Sequence, residues 1–159
     1  MSGLLEHLER QLQSARRLLQ IVLAQGDAIR SQDVEGVLAR LADVQTELAN
    51  RTRLEAEREA ILRDSAARMG LGVDDVELEH VIAGSADADQ DRARAISAEL
   101  KGVLGEAGRT HEQNQVLIRQ ELAFLGHLMR VMSGAPQAGY SPAGWTAPPQ
   151  VATAIDARA

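Results

Sequence analysis

Residues 4–29 read LLEHLERQLQSARRLLQIVLAQGDAI, and the spacing of their apolar side chains decides the fold class. Leu5, Leu8, Leu12, Ala15, Leu19 and Val22 alternate spacings of three and four, the seam of a packed helix and not the every-other pattern of a strand. The segment IRSQDV at 29–34 then offers Asp33 as the N-cap of a second helix, with a seam at Val34, Val37, Leu41, Val44 and Leu48. So short a connection makes the two helices antiparallel neighbours. Ser2 stands where a cap of the first helix belongs.

The second helix continues to Met69, where Gly70 and Gly72 end it. At ~1.5 Å per residue it would be ~50 Å long, which implies an elongated molecule. Its centre, residues 49–59, is charged and polar and reads as a solvated stretch laced by ion pairs among Arg51, Glu55, Arg58 and Glu59. Residues 71–84, LGVDDVELEHVIAG, read as a short helix capped by Asp74 or Asp75 and closed by Gly84. Ser85 or Asp87 then caps a third long helix that runs to Ser133. Within it Gly102, Gly105 and Gly108 each cost roughly 1 kcal/mol relative to Ala, which predicts a bend, a close helix contact or a break.

From Gly134 onward the chain holds all four of its prolines and only two charged residues, so no packed core can form there. The expected architecture is therefore all-α: an elongated antiparallel, coiled-coil-like bundle of three long helices, with one short helix between the second and third. A helical domain spans 1–133 and a disordered tail spans 134–159. That tail carries Tyr140 and Trp145, the one tyrosine and one tryptophan of the chain, as docking anchors or by chance.

Composition narrows the function. Aromatic residues are 2% of the chain while Leu and Ala dominate the apolar set, which favours helix over sheet. Without cysteine there is no disulfide framework, thiolate metal site or cysteine nucleophile. The first residues, MSGLLEHLERQ, do not read as a secretory signal, and no apolar run approaches a membrane span, so the expected location is cytoplasmic. A net charge of −6, with 17 basic residues interleaved among 23 acids, argues against nucleic-acid binding.

The residues offer little chemistry. His7, His80, His111 and His127 match no metal spacing, and HEQNQ at 111–115 has Gln115 where a zinc-protease helix needs its second histidine. Asp87, Asp89 and Asp91 resemble a calcium loop, but Arg92 and Ala98 occupy the required glycine and glutamate positions. The Glu-x-x-His motif of bundle metal sites occurs once, as Glu77-Leu-Glu-His80, and a solvated short helix explains it better. No cofactor, metal or enzymatic activity is expected.

The stretch 114–132, NQVLIRQELAFLGHLMRVM, carries an apolar surplus. On a helical wheel Val131, Phe124, Leu117, Leu128, Met132, Leu125, Ile118, Met129 and Leu122 fill an arc of roughly 180°, wider than one partner helix covers. Either two neighbours bury the whole arc in a three-helix bundle, or part of it is a groove for an amphipathic segment of another protein. Glu121 lies inside the arc at ~40°, and a buried unpaired charge is costly. An exposed Glu121 fits a groove open to water; a buried, paired one fits the bundle. Met129 and Met132 supply adaptable apolar side chains.

The layout resembles the FlgN family of flagellar type III export chaperones. The similarity rests on residues 33–41, on 57–71 ending at Gly70-Leu71, on NQVLI at 114–118, and on YSPAG at 140–144. The resemblance implies a cytoplasmic, non-enzymatic helical chaperone that holds the hook–filament junction proteins FlgK and FlgL by their C-terminal segments. It would prevent premature assembly and deliver them to the export gate. It places partner binding on Leu117, Ile118, Glu121, Leu122, Leu125, Leu128, Met129 and Met132, and export-gate docking, on the cytoplasmic domain of FlhA, at Tyr140. The three glycines of the third helix and the longer Ala/Pro-rich tail depart from the family pattern. The alternative is a coiled-coil scaffold or adaptor that self-associates through the same face, and a homodimer stays open.

Overall fold

The computed structural model describes residues 2–134. Four α-helices account for nearly all of them: α1 (Ser2–Arg30), α2 (Val34–Met69), α3 (Leu78–Ala83) and α4 (Asp87–Met132), with a 3-10 turn at Val73–Asp75. The all-helical class is as expected. The chain divides into two compact units, Met1–Glu121 and Leu122–Ala159.

The helix ends in the first unit follow from local chemistry. Asp33 caps α2 by accepting the Gly36 amide at 2.9 Å, and a side chain at position 36 would collide with that carboxylate. Just before it, α1 closes with Gln32 in the left-handed region, φ 57°, while Asp33 N–H donates to Ala28 C=O. At the other end of α2, Gly70 takes the same conformation at φ 68°, and Leu71 N–H donates to Ala66 C=O. Here the glycine adopts it without steric cost.

Several expected caps differ. Ser2 is already the first residue of α1, and Asp87 the first of α4. Asp74 and Asp75 sit in the 3-10 turn, and Glu77 caps α3 instead. The backbone amide of Glu77 donates to His80 Nδ1 at 3.0 Å, and the Glu77 side chain accepts from the His80 backbone, a reciprocal capping box. The Glu-x-x-His spacing that could serve a metal therefore serves a helix end. The glycines of α4 bring no break: the helix runs unbroken through them, and the space around Gly102 and Gly108 is open, which excludes a close helix contact there.

Within the first unit α1 is central. Pairs between α1 and α2 run in opposite directions, from His7 and Arg10 with Glu57 to Ser14 and Arg17 with Glu47. Pairs between α1 and α4 run in the same direction, from Glu9 with Arg92, through Arg16 with Glu99, to Val22 with Asn114. One apolar cluster joins Leu4, Leu8, Ala66, Val76, Val81, Ile82 and Ala93, so α3 closes one end of the packing; a second joins Val22, Val44 and Ala107. Leu8, Leu12, Ala15 and Val22 of the expected α1 seam are buried. On α2 only Val44 of the expected seam is buried, whereas Val34, Leu41 and Leu48 are exposed. The reason is that α2 turns polar residues toward α1, with Glu47 buried and Glu57 paired to Arg10 at 2.8 Å. The polar centre of α2 is thus partly an interface, not a solvated stretch, although Arg58 and Glu55 do pair along it.

Candidate partner-binding surface

The sequence of α4 sets up a buried stripe with a seven-residue step: Ala93, Ala107 and Asn114 are buried, and Leu100 between them is half-buried. Small alanines let α4 approach its neighbours, and Asn114 ends the series with a polar contact. Its side chain is 1% exposed, and Nδ2 donates to Val22 C=O at 2.7 Å and to Gln25 Oε1 at 3.4 Å. Gly26 makes room for it: a Cβ at that position would lie 2.8 Å from Asn114 Oδ1. A buried asparagine on an apolar seam fixes register, because any slip leaves its amide unpaired.

One step further along the stripe stands Glu121, which is exposed. Its carboxylate therefore bears no burial cost. Leu117 and Ile118, in the same unit, are half-buried. In the second unit the described residues are the last turns of α4 and the turn Ser133-Gly134, so a single helix end carries the surface. Leu122, Phe124, Leu125, Leu128, Met129, Val131 and Met132 are all exposed, from 41% at Leu128 to 78% at Met132. Burial of the whole arc between two neighbours is not what these residues show. Gly134, at φ 64°, ends the helix, with Ser133 N–H donating to Met129 C=O at 2.9 Å. Tyr140 and Trp145 lie outside the described residues.

Sequence reading missed the polar groups that organise the first unit. Glu47 accepts from the Ser14 hydroxyl, from Arg17 Nε at 3.1 Å and from Asn50 Nδ2 at 3.0 Å. Burial pushes its carboxyl pKa up, but these three hydrogen bonds outweigh that and hold it below the ordinary value. His7 is buried, with Nδ1 3.5 Å from Glu57 Oε2. Burial, aided by the Arg10 charge, lowers its pKa against the opposing pull of Glu57, so the ring is neutral near pH 7. The signal was present: His7 and Ser14 are seven residues apart, as are Leu4 and Gln11, all four on the buried side of α1.

A second exposed apolar stripe, Val34, Leu38, Leu41 and Leu48, lies on α2. Elsewhere the polar motifs have local partners. Gln115 Nε2 lies 3.0 Å from His111 Nε2, and Asp87, Asp89 and Asp91 occupy the first turns of α4, where carboxylates favour the helix dipole. Among the described residues no group of three or more His, Asp or Glu side chains is placed to hold a metal ion. No helix among them is long and apolar enough to cross a membrane.

No curated protein and no solved structure matches the chain significantly. A protein family does match: the one described as FlgN protein, over residues 1–148. Matched along nearly its whole length, the chain belongs to the FlgN family of flagellar export chaperones.

Proposed function

We propose that this protein is the cytoplasmic carrier of the hook–filament junction proteins FlgK and FlgL, and that it binds their C-terminal helical segments on the last turns of α4. The observation that carries the reading is the run of exposed apolar side chains from Leu122 to Met132 in a chain of a chaperone family. Leu122, Leu125, Leu128, Met129 and Met132 are the contact residues. Leu117, Ile118 and Glu121 extend the expected set, although the first two, being half-buried, have less surface to offer.

The mechanism requires no bond chemistry. An amphipathic terminal helix is aggregation-prone when free, and covering its apolar face removes water from both surfaces. Fully burying one large apolar side chain yields about 1.5–3 kcal/mol, so a few contacts offset the ordering cost of a segment that folds on binding. Such a complex holds its partner and still releases it at the gate, where Tyr140 docks on the cytoplasmic domain of FlhA.

Co-purification tests the reading. The chain should form a stoichiometric complex with FlgK or FlgL and lose it when the partner's C-terminal segment is deleted. Leu122→Asp or Leu125→Asp should abolish the complex with helical content unchanged; a folded variant that binds as the wild type does refutes the surface. Tyr140→Ala should weaken FlhA binding alone. The scaffold reading predicts instead stable higher oligomers in sedimentation and indifference to these partners, and the exposed α2 stripe gives it a second surface to use.

A further inference from the structure

The exposed stripe on α2 has no part in the carrier mechanism, yet it has the spacing of a helix seam. Val34, Leu38, Leu41, Gln45, Leu48 and Thr52 alternate steps of four and three, and all six are exposed. Four of them are large apolar side chains, from 42% exposed at Leu41 to 69% at Val34. On a wheel with Leu41 at zero the six fall within ~80°, a width that one partner helix covers. Thr52 keeps its hydroxyl occupied within α2, donating to Leu48 C=O at 3.1 Å, so covering it leaves no unpaired donor.

We infer that a second copy of this chain docks on the stripe, α2 against α2 in antiparallel direction, with the two-fold axis at the height of residue 44. The charges beside the stripe select this occupant. Glu35 and Arg53 stand at the same ~120° on that wheel, about five turns apart on one flank of the stripe. Both are exposed, and neither forms an ion pair among the described residues; Arg53 donates to Asn50 Oδ1 of its own helix at 3.0 Å. In an antiparallel pair a flank meets the same flank of the other helix, so Glu35 faces the partner's Arg53 and the symmetry repeats the pair. The leucines give the same centre. Residue 44 is midway between Glu35 and Arg53, and Leu41 and Leu48 straddle it to within a residue, which sets Leu41 against the partner's Leu48. Gln45 lies beside the axis and meets its own counterpart, and a polar residue in an apolar seam fixes register. A parallel pair in register would instead leave these opposite charges ~27 Å apart. The interface closes on itself, so association stops at two copies. A seam of ~27 Å from each copy is small, so the dimer dissociates on dilution.

Sedimentation velocity of the full-length chain, from low to high micromolar concentration, reads the assembly. A monomer–dimer equilibrium is expected, with no larger species. Leu41→Asp/Leu48→Asp should raise the dimer dissociation constant at least about a hundredfold, with circular dichroism showing the helices intact. Glu35→Arg or Arg53→Glu alone turns two attractions into repulsions and should weaken the dimer about tenfold. Glu35→Arg and Arg53→Glu together should restore the wild-type value. A chain that stays monomeric at every concentration overturns the inference. So does a dimer that tolerates Leu41→Asp/Leu48→Asp but is lost in Leu122→Asp/Leu125→Asp, which would put self-association on α4. Single charge variants without effect, or a double variant without rescue, overturn the antiparallel seam. Residues 122–132 take no part in it, so failure of FlgK and FlgL to bind would refute the carrier reading while leaving sedimentation to decide the dimer.

Discussion

Gly26→Ala should change the sign of its effect depending on residue 114. In an ordinary helix interior this substitution stabilises by about 1 kcal/mol, since alanine loses less backbone entropy than glycine. At position 26 the new Cβ would stand 2.8 Å from Asn114 Oδ1, inside any tolerable contact. The short amide cannot swing away freely, because it is buried and its Nδ2 holds Val22 C=O at 2.7 Å. Displacing it leaves buried polar groups unpaired, about 1–3 kcal/mol, which outweighs the helix gain. In wild type the expected result is a net loss of about 1 kcal/mol; in an Asn114→Ala background the same substitution gains about 1 kcal/mol. Urea denaturation of the four proteins gives the coupling as a double-mutant cycle. Equal effects in both backgrounds would show that α1 and α4 do not meet in this register.

Two further predictions concern stability. Gln32→Gly should raise it by up to about 1 kcal/mol, because Gln32 holds the left-handed conformation at which glycine ends α2, and the urea midpoint reads the change. Acid should destabilise the fold in two stages. His7 has a folded pKa below its ordinary 6.5, so the unfolded chain binds the extra proton and stability falls as pH drops below 6.5. Glu47 is likewise depressed from 4.5, so its contribution is lost at lower pH still. His7→Met should remove the first stage alone and Glu47→Gln the second, measured as urea midpoint against pH.

The sequence exposed the helices clearly because their apolar seams and punctuation are strong. The Asp33 cap and the Gly70 stop are read directly from residue type, and the structure places both there. What stayed hidden was which neighbour each helix faces. Seam arithmetic counts apolar residues, and α2 meets α1 partly through Glu47 and Glu57, which pattern reading assigns to solvent. Leu41 and Leu48 of α2 were consequently assigned to a core they do not enter. Gly102, Gly105 and Gly108 do not break α4: glycine lowers helix propensity, but in a helix of 46 residues the neighbouring bonds carry the local cost. Asn114 was visible only as the start of the apolar stretch, and its tertiary partner 92 residues away left no mark in local spacing.

For the candidate surface, legibility was of another kind. The width of the apolar arc was evident from residues 114–132, but exposure is a property of what lies beside a helix and not of the helix itself. Glu121 shows the difference: its place within the arc follows from the sequence, its exposure only from the structure.

Hydrogen exchange on the full-length chain, with and without the C-terminal segment of FlgK or FlgL, tests the central claim most directly. The carrier account predicts new protection concentrated at residues 122–132, with little change in α1 and α2. Protection on the α2 stripe at Val34, Leu38, Leu41 and Leu48, with residues 122–132 exchanging as in the free protein, would contradict it.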